Sequence, residues 1–286
     1  MSAPIRRPEW LRKDKPLTEG VVRDKASYAA LGLHTVCESA RCPNLSECFR
    51  SGTATFLVMG NRCTRGCRFC AVEHGAPLPP DPDEGNRIAR QLARMAIRYA
   101  VITSVTRDDL PDGGASHFAR VVDAVHAAAP QTAVELLVPD FQGRSESVDL
   151  VAALPIEVFG HNLETVRSLY PAVRKGADYA RSLGVLRRAR AICGGKIKSG
   201  IMVGLGESAE ELARLFDDLA AAGVRILTIG QYLRPSWINV PVARYVAPEE
   251  FEQMAQNARA RGVPVVLAGP YVRSSYLAES LCRKKI

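Results

Sequence analysis

The 286 residues are 47% apolar and 24% charged, and 38 Lys and Arg against 30 Asp and Glu leave a net charge of +8. No apolar run reaches the roughly eighteen residues of a membrane span, and the basic N-terminus "MSAPIRRPEWLRKDKP" lacks the apolar core of a secretory signal, so a cytoplasmic protein is expected. The arginines are dispersed, with no basic block and no interleaved aromatics; neither nucleic acid nor membrane is an expected partner, and the charge favours an acidic partner or substrate.

Residues 1 to about 50 show no sustained periodicity. "TATFLVMG" (53–60) then predicts a strand, "EGNRIARQLARMAIR" (84–98) a helix, "YAVITSV" (99–105) a strand and 115–129 a helix. Further strands are predicted at 133–140, 156–163, 196–204 and 225–233, separated by helices at 147–154, about 176–192 and 208–223. A helix over 248–262 precedes a last apolar run, "VPVVLAG" (263–269). Ser208 with Glu211 three residues on makes a capping box, and Gly223 marks that helix's end. Strands apolar on both faces and alternating with helices imply a parallel α/β sheet. Six such units suit an open doubly wound sheet or a partial β/α barrel, and periodicity does not choose between them.

Eight cysteines in a reducing compartment point to metal or redox chemistry rather than disulfides. Cys63, Cys67 and Cys70 in "RCTRGCRFC" (62–70) have the spacing of one helical face. Gly66, two intervening arginines and the position just after a strand instead favour a loop wrapped round a metal centre. Cys37, Cys42 and Cys48 in "VCESARCPNLSEC" form a second triplet, which Pro43 keeps out of a helix. Structural zinc completed by His34 or His74, and iron–sulfur clusters with an open iron, both remain compatible with these spacings. Cys193 and Cys282 stand alone and are expected to be packing residues. "GLGESA" (204–209) imitates a dinucleotide fingerprint, but the next strand, "RILTIGQYL", carries no acidic residue to receive a ribose.

Read more widely, "GIMVGLGE" (200–207) is similar to the adenine-side strand of radical S-adenosylmethionine (SAM) enzymes, with Met202 in the place of Ile. "CTRGCRFC" stands where those enzymes carry Cys-x-x-x-Cys-x-x-Cys, just after the first strand of a partial barrel. The upstream Cys-x4-Cys-x5-Cys together with "RSSY" (273–276) resembles the lipoyl synthase family, and "ITSVTRDDLPDGGASHF", "LVPDFQGR", "HNLETV" and "AGPYVRSSY" agree. The resemblance runs from about Pro8 to Ala278. A biotin synthase-like enzyme is the nearest rival in chemistry, and a zinc-stabilised RNA-binding module the rival from another class.

The resemblance implies a partial (β/α)6 TIM-type barrel over 51–262, an N-terminal extension (1–50) carrying an auxiliary cluster and a C-terminal segment (263–286), both extensions closing the barrel mouth. It implies two [4Fe–4S] clusters. The one on Cys63, Cys67 and Cys70 would bind and reductively cleave SAM to a 5′-deoxyadenosyl radical. The auxiliary one, on Cys37, Cys42 and Cys48 with Ser275 (or Ser274) as fourth ligand, would give up sulfur for C6 and C8 of an octanoyl chain. The octanoyl-lysine would belong to a lipoyl carrier domain or glycine cleavage H protein, with a low-potential electron donor and an iron–sulfur carrier as further partners. Phe69 is expected near the adenine, Asn162 and Arg174 on SAM, Glu207 at the end of the adenine-side strand, Arg273 and Tyr276 beside the auxiliary cluster, and His161 as a structural hydrogen-bonder. Leu277 departs from the His, Lys or Arg of many relatives, which bears on tail-end substrate contacts and not on the clusters.

Overall fold

The computed structural model describes residues 6–12, 27–36, 44 and 53–284; Cys37, Cys42 and Cys48, and with them the expected auxiliary triplet, lie outside the described residues. Strand β1 (His34–Thr35) pairs antiparallel with β2 (Thr53–Val58), while β3 (Arg62–Cys63) and β4 (Glu73–His74) form a separate ribbon. β5 (Tyr99–Ser104), β6 (Ala133–Leu137), β7 (Val158–Gly160), β8 (Lys196–Val203), β9 (Ile226–Gln231) and β10 (Val265–Gly269) continue from β2, each parallel to the one before.

The strand order follows the chain without reversal. A doubly wound sheet reverses direction at a switch point, so this sheet winds one way only, as a barrel does. Among the described residues β10 pairs with β9 alone, which leaves the barrel open. The run at 263–269, grouped above with the C-terminal segment, thus supplies a further parallel strand.

The crossovers carry α1 (Glu84–Arg94), α2 (Ala115–Ala128), α3 (Ser145–Ala152), α4 (Tyr170–Val173), α5 (Tyr179–Ile192), α6 (Ala209–Ala221) and α7 (Pro248–Ala260). The α6 capping box forms: Glu211 N–H donates to Ser208 Oγ at 3.2 Å and Ser208 N–H to Glu211 Oε2 at 2.9 Å. No helix of the described residues is long and apolar enough to cross a membrane.

The main core lies between the sheet and these outer helices. Two smaller clusters fill the lower lumen, at the N-terminal ends of the strands. There Tyr99, Val158, Ile226 and Val265 meet Ala278 and Leu281 of α8 (Ala278–Arg283). The same level holds a buried ion pair, Lys198 Nζ to Glu135 Oε1 at 2.6 Å, with Tyr99 OH donating to Glu135 Oε2 at 2.8 Å. Lys196 Nζ donates to the Cys282 carbonyl, tying α8 to β8. Cys193 is buried, as a packing residue would be, and Cys282 packs in the lumen. From β10 the chain therefore crosses the mouth and descends into the open barrel.

Candidate active site

Met59 and Gly60, with φ of 65° and 87°, turn the chain off the end of β2 into the cysteine loop. That loop is laced to the segment after β5. Thr64 Oγ1 donates to Thr106 O at 2.9 Å, and the Thr106 N–H donates to Cys63 Sγ at 3.3 Å. The Arg65 guanidinium grips Asp108 from Nε (2.6 Å) and Nη2 (2.9 Å) and reaches Asp140 from Nη2 (2.7 Å). Burial works against charge on Asp140, but Arg65 outweighs it and holds the carboxyl down to about 2.

Burial pushes Cys70 up to about 12 against the Val72 N–H, and Cys67 and Cys63 push the same way. Burial also raises Cys67, opposed by the nearby charge of Arg174. Cys67 and Cys70 stay protonated until a metal replaces their protons. Among the described residues no three His, Cys, Asp or Glu converge on a point one ion could occupy. An iron–sulfur cluster takes one thiolate per iron and tolerates an open iron, so three thiols on one loop suit it.

A cavity of about 560 Å³ opens above the strand ends, within the usual range for ligand sites. Thr55, Thr103, Gly200, Thr228 and Gly230 form its wall, Phe69 and Cys70 one side, Arg7, Leu11 and Arg12 a second, and Tyr271 to Ser275 a third. The glycines are there for room. A Cβ on Gly200 would sit 2.7 Å from Thr228 Oγ1, 2.8 Å from Ser274 Oγ and 2.9 Å from Asn162 Oδ1, and one on Gly230 only 2.1 Å from Val272 O.

The predicted site residues divide. Phe69, Cys70, Asn162, Met202, Ser274 and Ser275 line the cavity. Ser274 Oγ donates to Asn162 Oδ1 at 2.8 Å, whereas Ser275 Oγ has no hydrogen-bond partner among the described residues. Arg174 and Glu207 are not among the lining residues. Arg174 Nη1 donates to Asn162 O (3.0 Å) and Tyr170 OH (2.9 Å), while its Nε is buried with no hydrogen-bond partner among the described residues. Glu207 accepts from the N–H groups of Gly204 (2.6 Å) and Leu205 (2.9 Å), bracing the turn after β8. His161 is buried with Nδ1 2.8 Å from Val138 O, and burial lowers it to about 4, so it is neutral there.

Sequence reasoning missed Glu164. It lines the cavity in a left-handed conformation (φ 67°) rare for a non-glycine residue, and accepts from Asn162 Nδ2 at 3.0 Å. Burial raises its carboxyl, with Arg174 opposing. A strained, desolvated carboxylate at a cavity wall is a usual mark of function. No spacing in the sequence announces it, because the signal is its backbone angle.

Comparison with known proteins agrees with this geometry. The model of the Radical SAM superfamily matches residues 57–219. A lipoyl synthase of Methylococcus capsulatus is 51% identical over 255 residues, covering 88% of this chain and 79% of its own. That of Nitratidesulfovibrio vulgaris is 50% identical over 279 residues, covering 98% and 93%. Among solved structures, HydG, a maturase of the [FeFe]-hydrogenase, superposes with a TM-score of 0.60 at 16% identity over 75% of this chain and 50% of its own. Streptococcus suis SuiB bound to S-adenosylmethionine gives 0.58 at 12% identity, over 79% and 53%. The chain spans about half the length of these two, and they speak for the fold alone. With its thiol loop, its mouth cavity and two curated relatives at half identity over most of its length, the chain belongs to the lipoyl synthase family of the radical SAM superfamily.

Proposed function

We propose that the mouth cavity is where this chain brings an octanoyl-lysine between two iron–sulfur clusters held by its two cysteine triplets. Family membership makes it a sulfurtransferase that inserts two sulfur atoms, at C6 and C8 of a protein-bound octanoyl group. Such carbons carry no useful acidity, so acid–base groups alone cannot serve. When bound, the [4Fe–4S] clusters and SAM supply one-electron cleavage of a sulfonium, a hydrogen-abstracting radical and the sulfur itself.

The protein's own part is holding and shielding. Cys63, Cys67 and Cys70 would hold the SAM-binding cluster, with Arg65 and Thr64 fixing their loop. Phe69 would cover the adenine, and Asn162 with Glu164 would present a polar wall to SAM. Arg174 braces Asn162 from behind and lends it positive charge. Cys37, Cys42, Cys48 and Ser275 would hold the auxiliary cluster.

The observation that carries this reading is a meeting of the chain ends. Asn44, between Cys42 and Cys48, donates from Nδ2 to the Tyr271 carbonyl at 2.6 Å. Val36, next to Cys37, lines the same cavity as Ser275. Residues flanking the upstream triplet thus stand beside the serine loop, which is what a shared cluster needs. Ser275 is the better ligand of the pair, since Ser274 is engaged by Asn162.

We further place the enzyme in the cytoplasm, where thiols persist reduced, with a low-potential electron donor and an iron–sulfur carrier as partners. The test is anaerobic turnover of an octanoyl-lysine substrate with SAM and a strong reductant, followed by mass spectrometry. Wild type should give the dithiolane product. Ser275→Ala should lose most of it, and Ser274→Ala should keep more. No product from wild type overturns the reading.

A further inference from the structure

The loop after β9 presents two large apolar side chains to solvent at the edge of the cavity. Trp237 and Ile238 are 83% and 63% exposed. Their neighbours Leu233, Arg234 and Pro235 line the cavity, so the pair stands on its rim.

This exposure is built in. Ser236 Oγ donates to Asn239 Oδ1 at 2.7 Å, and Arg234 Nε donates to Asn239 O at 2.9 Å. Asn239 Nδ2 in turn donates to the carbonyl of Cys70 at 2.9 Å, and the Val240 N–H to the carbonyl of Arg68 at 3.0 Å. The loop is pinned to the cysteine loop itself, and its two apolar side chains are held outward where none of the described residues covers them.

Charge accompanies them. Arg7 and Arg12 on the cavity wall and Arg68 beneath the loop are exposed, and among the described residues none forms an ion pair. Trp10, 47% exposed, lies on the same turn as the cavity-lining Leu11. Exposed apolar side chains sharing a cavity mouth with cations that form no ion pair among the described residues have the chemistry of a protein-docking surface. The proposed function says what must arrive: an acyl chain attached to a lysine of a folded carrier protein.

We propose that Trp237 and Ile238, with Arg7, Arg12 and Arg68 around them, dock a small folded lipoyl carrier domain through an acidic face next to its octanoyl-lysine. The inference rests on the function proposed above and adds the surface that recognises the carrier. It separates two substrates, because a short octanoyl-lysyl peptide reaches the cavity without touching the rim.

The experiment compares wild type with the double variant Trp237→Ser, Ile238→Ser on an intact octanoylated carrier domain and on such a peptide. Both side chains lie in solvent, and an unchanged iron content verifies the fold. The variant should raise KM for the carrier about tenfold with kcat kept, as expected for loss of an interface hot spot, and leave peptide turnover unchanged. Added salt should raise KM for the carrier and not for the peptide. Equal effects on both substrates, or none on either, overturn the docking surface while wild-type turnover keeps the function. If wild type turns over neither, the function falls and the docking surface with it.

Discussion

The two levels of the barrel lumen are built from the same strands and differ in what those strands carry inward. At the lower level Tyr99, Glu135, Val158, Lys198 and Ile226 fill the space, and α8 completes the plug. Two residues further along each of three strands, Val101 gives way to Thr103, Lys198 to Gly200 and Ile226 to Thr228, and the lumen opens into a cavity. One level is close-packed and holds the fold; the other is short of side chains and holds the chemistry. Changes below should therefore cost stability, and changes above should cost binding.

The largest effect is expected at the lower ion pair. Glu135→Ala would leave Lys198 buried and unpaired, a loss of about 3–5 kcal/mol in unfolding free energy. Urea titration of the apoprotein measures it, and an unchanged midpoint would mean that the lower level is not a core.

Leu281→Ala in α8 should cost about 2–3 kcal/mol by the same titration, since it empties the middle of the plug. A loss confined to activity would instead assign α8 to the upper level.

Asp140, which holds the cysteine loop through Arg65, gives a pH-dependent effect. Its carboxyl is held below the ordinary value, to about 2, so its contribution is complete above pH 4. That contribution, about 2 kcal/mol, disappears as pH falls through about 2. Apoprotein stability should fall over this window, and Asp140→Asn should flatten that part of the curve.

The smallest change in stability belongs to the upper level. Asn162→Ala removes the partner of both Ser274 and Glu164 and should leave the apoprotein within about 1 kcal/mol of wild type. SAM affinity in the reconstituted enzyme should fall roughly tenfold. A stability loss as large as that of Leu281→Ala would erase the distinction between levels.

How far the sequence foretells this depends on the length of each signal. The long apolar strands and the Ser208 cap were legible, because several residues repeat the same message. Ends were less so: the strand from 53 stops at Val58 because Met59 turns left-handed, though its side chain is apolar. The helix from 84 stops at Arg94 where Ala96 adopts φ 50°. β1, β3 and β4, two residues each, are too short to show a period.

In the site, the spacing of Cys63, Cys67 and Cys70 was readable because chemistry fixes it. Arg174 is expected on SAM from its residue type and Glu207 at the end of the adenine-side strand from its motif, and carbonyls and N–H groups of their own chain also engage them. Competition of this kind is settled by packing, and no linear pattern records it.

The most direct test counts iron and acid-labile sulfide after anaerobic reconstitution of wild type and of two triple variants. Two separate cubanes predict about eight of each per wild-type chain. Cys63, Cys67 and Cys70 all replaced by Ala should leave about four, and Cys37, Cys42 and Cys48 replaced likewise should leave the other four. About four in wild type, or one triple variant that abolishes both clusters in a folded protein, would contradict two centres facing one cavity.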